Sequence, residues 1–436
     1  MKGKIALAIF AAAMLCVSAL AQENTANYWF EKSDEHLKNG SIEEADLALD
    51  KALQLDPQNA SIWLSKALTL ELLSKGNESQ EVFQKSLSLS DEDLKKNPQD
   101  ADAWWSKGVA LDALYRQAEA TEARERAVQI YNQTLGENPQ DADTWFKKAE
   151  VLVSLNRREE AISAYQKAID LNTSKALSAW MSKGYLLMEL ERYDESLEAL
   201  DKALEEIPTD DKQTLERAWE FRAIVLQEMN RLEESYEAFD RLTELNDENK
   251  MAWIQKGYLQ RELGRYNDSL ESYETVLQLE PLTKMESSRA WIGKGRALDG
   301  MSLKEDAQEA YARALEIHDQ QLQENPQDFI AWRDKGGTLC RMGRYEDALK
   351  AYDSVIALSL SPAMAGVTAQ AWSGKGDALL ELGRNEEALE TYRQSIELYP
   401  LDYDAWHGKG QALQALEKRI EADFAFKVAK KLGYRE

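Results

Sequence analysis

Apolar positions along this chain follow a helical spacing that restarts at regular intervals. In the stretch from Trp145, a small residue (Ala149) follows at four positions and Leu152 at seven. These three share one helical face. After a polar break, Ala161 and Tyr165 mark a second face, sixteen and twenty residues from the same Trp. The same layout recurs from Trp29, Trp63, Trp104, Trp180, Trp219, Trp253, Trp291, Trp332, Trp372 and Trp406, at spacings of 34 to 41 residues. The pattern predicts eleven helix pairs. The small residue lets two helix axes approach, and the large residue of the second helix fills the space it leaves. Only Arg124 breaks the large apolar position.

Punctuation agrees with this division. Gly-Arg turns such as Gly264-Arg265 and Gly383-Arg384 separate the two helices, and Gly suits a helix C-terminus. All eight prolines, from Pro57 to Pro400, fall between pairs, so none interrupts a helix. After Trp63, Trp104 and Trp291 the proline comes seven residues late, which is two helical turns. The second helices there are expected to be longer. After Trp180, Trp253 and Trp332 the extra residues follow the proline, and the next first helix is expected to start early. Neutral drift of helix ends accounts for such insertions as well as any function does.

The order Trp, small residue, Leu, Ala/Ser, aromatic, Pro resembles the tetratricopeptide repeat family, over residues 27–436. That resemblance implies an all-α fold, a right-handed α-solenoid of stacked antiparallel helix pairs, with residues 22–436 forming a single array. It also implies binding of peptides or proteins, and no catalytic residues. One departure recurs. Lys or Arg stands three after each Trp (Lys66, Lys107, Arg222, Lys294), where the family usually has Leu. These side chains either lie along apolar neighbours with the ammonium paired to a carboxylate, or form a basic rail for an acidic ligand. The acidic chain supplies internal partners, which favours the first reading.

Residues one and five after the Trp line the inner wall in the family. Here they include Trp105, Phe146, Met181, Tyr185 and Tyr258, and the register then turns polar at Arg296, Arg333, Asp377 and His407. An apolar stretch with an arginine end suits an extended peptide with hydrophobic side chains and an acid. The alternative is that these residues fill seams between neighbouring first helices.

The N-terminus is separate. Lys2 and Lys4 precede an apolar run from Ile5 to Val17, then Ala19-Leu20-Ala21. Residues 1–21 therefore read as a secretory signal peptide cut before Gln22. The alternative is an uncleaved anchor over residues 5–21. Either places the repeats outside the cytoplasm, secreted or at the cell surface. Six Asn-x-Ser/Thr sites (Asn39, Asn59, Asn77, Asn132, Asn172, Asn267) are then open to glycosylation.

Charge and chemistry narrow the function. The net charge of −25 repels nucleic acid. His36, His318 and His407 lie in different repeats, so no metal or cofactor site is expected. Cys340 is the one cysteine after the leader, which excludes an intramolecular disulfide. Gly293-Lys294-Gly295 lacks phosphate-loop spacing and reads as helix packing. The expectation is an extracytoplasmic protein- or peptide-binding scaffold that is not an enzyme, reaching a membrane only through residues 5–21. The alternatives are the recognition arm of an enzyme complex, such as a glycosyltransferase, or a self-assembling structural protein.

Overall fold

The computed structural model describes residues 25–38, 40–358 and 364–434. The signal or anchor segment and Asn39 lie outside the described residues. The described residues form 22 α-helices and no strand. Contacts divide the described residues into two compact units, one up to Met229 and one from Asn230 onward.

In the first unit the helix pairs are α1 (Ala26–Lys38) with α2 (Ile42–Leu55), and α3 (Ala60–Leu72) with α4 (Gly76–Lys96). Then come α5 (Ala101–Ala113) with α6 (Gln117–Glu137), α7 (Ala142–Ser154) with α8 (Arg158–Asp170), and α9 (Ala176–Glu189) with α10 (Tyr193–Glu206). Helix α11 (Lys212–Glu228) ends the unit. The second unit opens with α12 (Leu232–Leu245), followed by α13 (Lys250–Glu262) with α14 (Tyr266–Gln278) and α15 (Lys284–Gly300) with α16 (Lys304–Glu324). It closes with α17 (Phe329–Arg341) and α18 (Tyr345–Leu358), α19 (Ala365–Glu381) and α20 (Asn385–Leu398), and α21 (Tyr403–Ala415) and α22 (Arg419–Leu432). Within each unit consecutive helices in the chain pack on one another, both inside a pair and from one pair to the next. Each unit is an all-α solenoid with a core that runs along it.

Insertions fall where the proline spacing places them. Helices α4, α6 and α16 are 21 residues long, against 13 or 14 for the other second helices. Helices α11, α15 and α19 run to 17 residues by starting early.

Three devices shape every pair. The residue eleven after each Trp adopts positive φ, from Gly40 and Ser74 to Gly383 and Glu417, and this ends the first helix. Where the Pro-x-Asp/Asn turn precedes a first helix, Asn59, Asp100, Asp141, Asp328 and Asp402 cap its N-terminus through their side chains. The Trp indole closes the same turn. Nε1 of Trp63, Trp104, Trp145, Trp332 and Trp406 donates to the proline carbonyl six residues earlier at 2.9–3.0 Å. Trp253 does so to Asp247 at 2.9 Å.

In the second unit, Tyr352 and Tyr392 stand between two glycines each. Tyr392 fills the space over Gly376 of its own pair and Gly408 of the next, where a Cβ would lie 2.7 and 2.4 Å from its ring. Arg124, the exception to the large apolar position, takes the same place over Gly108 and pairs with Asp112 at 2.5 Å.

Candidate functional site

The first-helix wall of the first unit separates its two register positions. Residues five after the Trp face solvent more than those one after it. Leu68 and Tyr185 are exposed, whereas Leu64 and Phe146 are buried. Phe146 is only 4 % exposed. Its ring meets Tyr165 of its own pair edge-on at 5.5 Å and lies 4.8 Å from the Lys175 ammonium. Phe146 therefore leaves the set of ligand-facing residues. Trp105 and Met181 are half-buried, and the Arg124 guanidinium lies 6.0 Å from the Trp105 ring.

Tyr185 is the most open of the expected aromatics, at 39 %. It packs 5.4 Å from Phe221 and donates to Glu189, which Arg158 holds at 2.9 Å. Together with Val153, Met181 and Arg217, these two rings line an open recess of about 240 Å³. Glu150, five after Trp145, is a wall residue that the apolar reading passed over. Its carboxyl is exposed yet surrounded, and desolvation raises its pKa against the pull of Lys175 and Lys147.

In the second unit the wall changes sign along its length. Tyr258 is half-buried beneath the Arg261 guanidinium, 5.2 Å from its ring. Arg296 faces Arg261 and Arg341 of the flanking first helices. Desolvation, then repulsion from those two cations, lowers its pKa. Neither Arg296 nor Arg341 makes a hydrogen bond or ion pair among the described residues. Arg261 lies 2.6 Å from Glu262 in a geometry that forms no hydrogen bond. Arg333 is not part of this group. It is tied to Asp334 at 2.7 Å and Gln370 at 3.1 Å. The arginines brought together are thus Arg261, Arg296 and Arg341, and the sequence reading missed two of them because they stand eight and nine residues after their Trp.

Beyond them, Asp377, Asp402, Asp404, Tyr403 and His407 line a recess of about 840 Å³. Desolvation raises the carboxyl pKa of both Asp377 and Asp404. Tyr392 donates to Asp377 at 2.5 Å, and His407 stacks on Tyr434 at 3.8 Å.

The recurring base forms no free rail. In nine repeats its cation lies 4.3–5.5 Å from the centroid of its own Trp. Of these, Arg222, Lys256, Lys294 and Lys375 also pair with a carboxylate of the preceding second helix at 2.5–2.8 Å, and Lys66 pairs in the same way with Asp50 at 2.6 Å. That carboxylate stands 21 residues after the preceding Trp. Where the preceding helix is two turns longer, Asp91 and Asp319 do the same from 28 residues, pairing with Lys107 and Lys335. The position holds Asn132 before Lys148, Gln166 before Lys183 and Arg393 before Lys409, and of these only Gln166 accepts from its lysine, at 2.5 Å. At all three, desolvation lowers the lysine pKa.

No group of His, Cys, Asp and Glu among the described residues could hold a metal ion. Burial pushes the Cys340 thiol up to about 11. No described helix is long and apolar enough to cross a membrane.

Family models described as tetratricopeptide repeat match residues 26–59 and 252–281, residues 124–173 and 146–211, and residues 327–400. Together they cover about half of the chain. An uncharacterized protein of Methanocaldococcus jannaschii is 33% identical over 64 residues, which is 15% of this chain and 74% of that protein. Among solved structures, a tetratricopeptide repeat protein from Parabacteroides merdae is 16% identical with a TM-score of 0.49, over 67% of this chain and 99% of its own. Yeast Tom70 is 15% identical with a TM-score of 0.44, over 94% and 92%. YrrB, described as having an unusual peptide-binding site, is 23% identical with a TM-score of 0.37, over 46% and 95%.

Proposed function

Because the chain belongs to the tetratricopeptide repeat family, we propose that it is an extracytoplasmic scaffold that holds a protein or peptide on its first-helix walls. The observation that carries this reading is the recess at Tyr185, Phe221, Met181 and Val153. Solvent-facing aromatic and aliphatic groups stand together there in a chain whose surface is otherwise strongly acidic. Such a recess takes an apolar side chain, and the Tyr185 hydroxyl and Arg217 at its rim select how that side chain enters. Arg261, Arg296 and Arg341 serve acidic groups of a ligand on the second unit. The leader pattern of residues 1–21 supports export.

A photo-crosslinker at position 185 should trap a polypeptide partner from the native extracytoplasmic fraction. Tyr185→Ala with Phe221→Ala should weaken that partner by about tenfold, as the loss of an aromatic anchor does. Arg296→Glu with Arg341→Glu should weaken acidic ligands and flatten the salt dependence of their binding. Partner retention unchanged in both variants, but lost on substitution of outer-face glutamates, would overturn the assignment to the first-helix walls.

A further inference from the structure

The second helix of every repeat carries two positions, fourteen and eighteen after the Trp, that face solvent in all eleven copies. Exposure there belongs to the register itself, in internal and terminal repeats alike. Most of these positions are charged or polar, as in Glu159, Glu198, Glu233, Glu271, Glu309, Glu346 and Glu390. The last repeat places Ile420 and Phe424 there, 88% and 62% exposed. Leu47 is the only other large apolar residue in the whole set. Phe424 stands edge-on to Trp406 at 6.3 Å, so the ring is presented from a packed base.

The charges around this patch are arranged in order. On α22, residues 420, 421, 424, 427 and 428 share one face. Glu421 lies N-terminal to Phe424 and Lys427 lies C-terminal to it. Neither makes a hydrogen bond or ion pair among the described residues. In the repeats of Trp104, Trp145, Trp180, Trp219 and Trp372, the counterpart of Glu421 is held by an Arg three residues earlier at 2.5–2.6 Å. Lys418 stands in that place in the last repeat, and Glu421 is left to solvent.

We propose that the outer face of α22 pairs antiparallel, about a two-fold axis at Phe424, with the same face of a second copy of this chain. That arrangement sets Phe424 on its counterpart and Ile420 against Val428 of the second copy. It brings Glu421 of each copy to Lys427 of the other. A two-fold contact uses one self-complementary patch and closes at two copies. The acid-to-base order along the helix complements itself only in the antiparallel sense. A single helix face buries less than the ~1,200 Å² of total surface that a stable complex needs, so the dimer is weak and concentration-dependent.

Sedimentation velocity of the purified chain over a concentration series tests this, with helicity and melting temperature followed for each variant. The expected result is a monomer–dimer equilibrium that Phe424→Glu abolishes with helicity kept and only a small drop in melting temperature, because the ring is mostly in solvent and gives up one edge-on contact with Trp406. Glu421→Lys alone and Lys427→Glu alone should each weaken the dimer by about tenfold. The double exchange should restore it, since each copy then meets the opposite sign again. Four outcomes overturn the proposal: a monomer throughout the series, species that grow beyond two copies, a dimer indifferent to Phe424→Glu, or failure of the double exchange to restore pairing. Capture of the monomer by phosphatidylserine vesicles, with no self-association in solution, would assign the patch to a membrane instead.

Discussion

At the residue scale, the tryptophan does two jobs that no other side chain combines. Its ring fills the seam between helices, and its indole N–H satisfies a turn carbonyl. Trp253→Ala should cost about 3–5 kcal/mol at a packed site. Trp253→Phe keeps most of the ring and loses one hydrogen bond, so it should cost about 1–2 kcal/mol beyond any packing change. Chemical denaturation of the two variants separates these contributions, and equal losses would mean that the bond to Asp247 contributes nothing. The Trp beat was legible in the sequence because hydrophobic periodicity is set locally. The indole bond was not, since it requires the turn geometry. Arg333 misled for a related reason. Its partner is its own neighbour Asp334, and adjacency in sequence does not reveal a side-chain pairing. Phe146 lies in the wall register, but its ring turns to Tyr165, and only packing shows this.

At the element scale, the pairs are fitted by size exchange. Gly408→Ala would drive a methyl to 2.4 Å from Tyr392, and displacing that buried ring should cost about 1–3 kcal/mol. Gly264 tests a separate term. It has φ 74° and open space around it, so Gly264→Ala adds no clash and should cost about 1–2 kcal/mol through the backbone alone. Thermal melts of the two variants, with Gly408→Ala rescued by Tyr392→Phe only if the hydroxyl is the clashing group, distinguish crowding from backbone strain. Helix lengths were readable from the proline spacing, including the two-turn extensions of α4, α6 and α16. The occupants of the positive-φ position were less so. Gly264, Gly343 and Gly383 announce the turn, whereas Ser74, Tyr115 and Glu191 adopt the same conformation with no sequence mark.

At the scale of the whole molecule, each unit is held by contacts between neighbouring pairs, so a local lesion should unfold locally. The export reading is tested on intact protein. Mass spectrometry of material recovered outside the cytoplasm should show Gln22 as the first residue. Soluble cytoplasmic protein that retains Met1 would overturn it, and a retained leader in the membrane fraction would identify an anchor. The two candidate surfaces were unequally legible. The aromatic wall follows from register, but the grouping of Arg261, Arg296 and Arg341 depends on how successive first helices lie beside one another.

The chain of lysine-to-carboxylate pairs also gives each unit a mechanical grain. Every such pair ties a first helix to the pair before it; at Lys183 a neutral hydrogen bond to Gln166 at 2.5 Å stands in for it, and the tie is missing where Asn132 precedes Lys148 and where Arg393 precedes Lys409. Pulled from its two ends, the protein should not fray uniformly. The joints between α6 and α7 and between α20 and α21 are the places where a rupture under tension would start, like perforations in a strip.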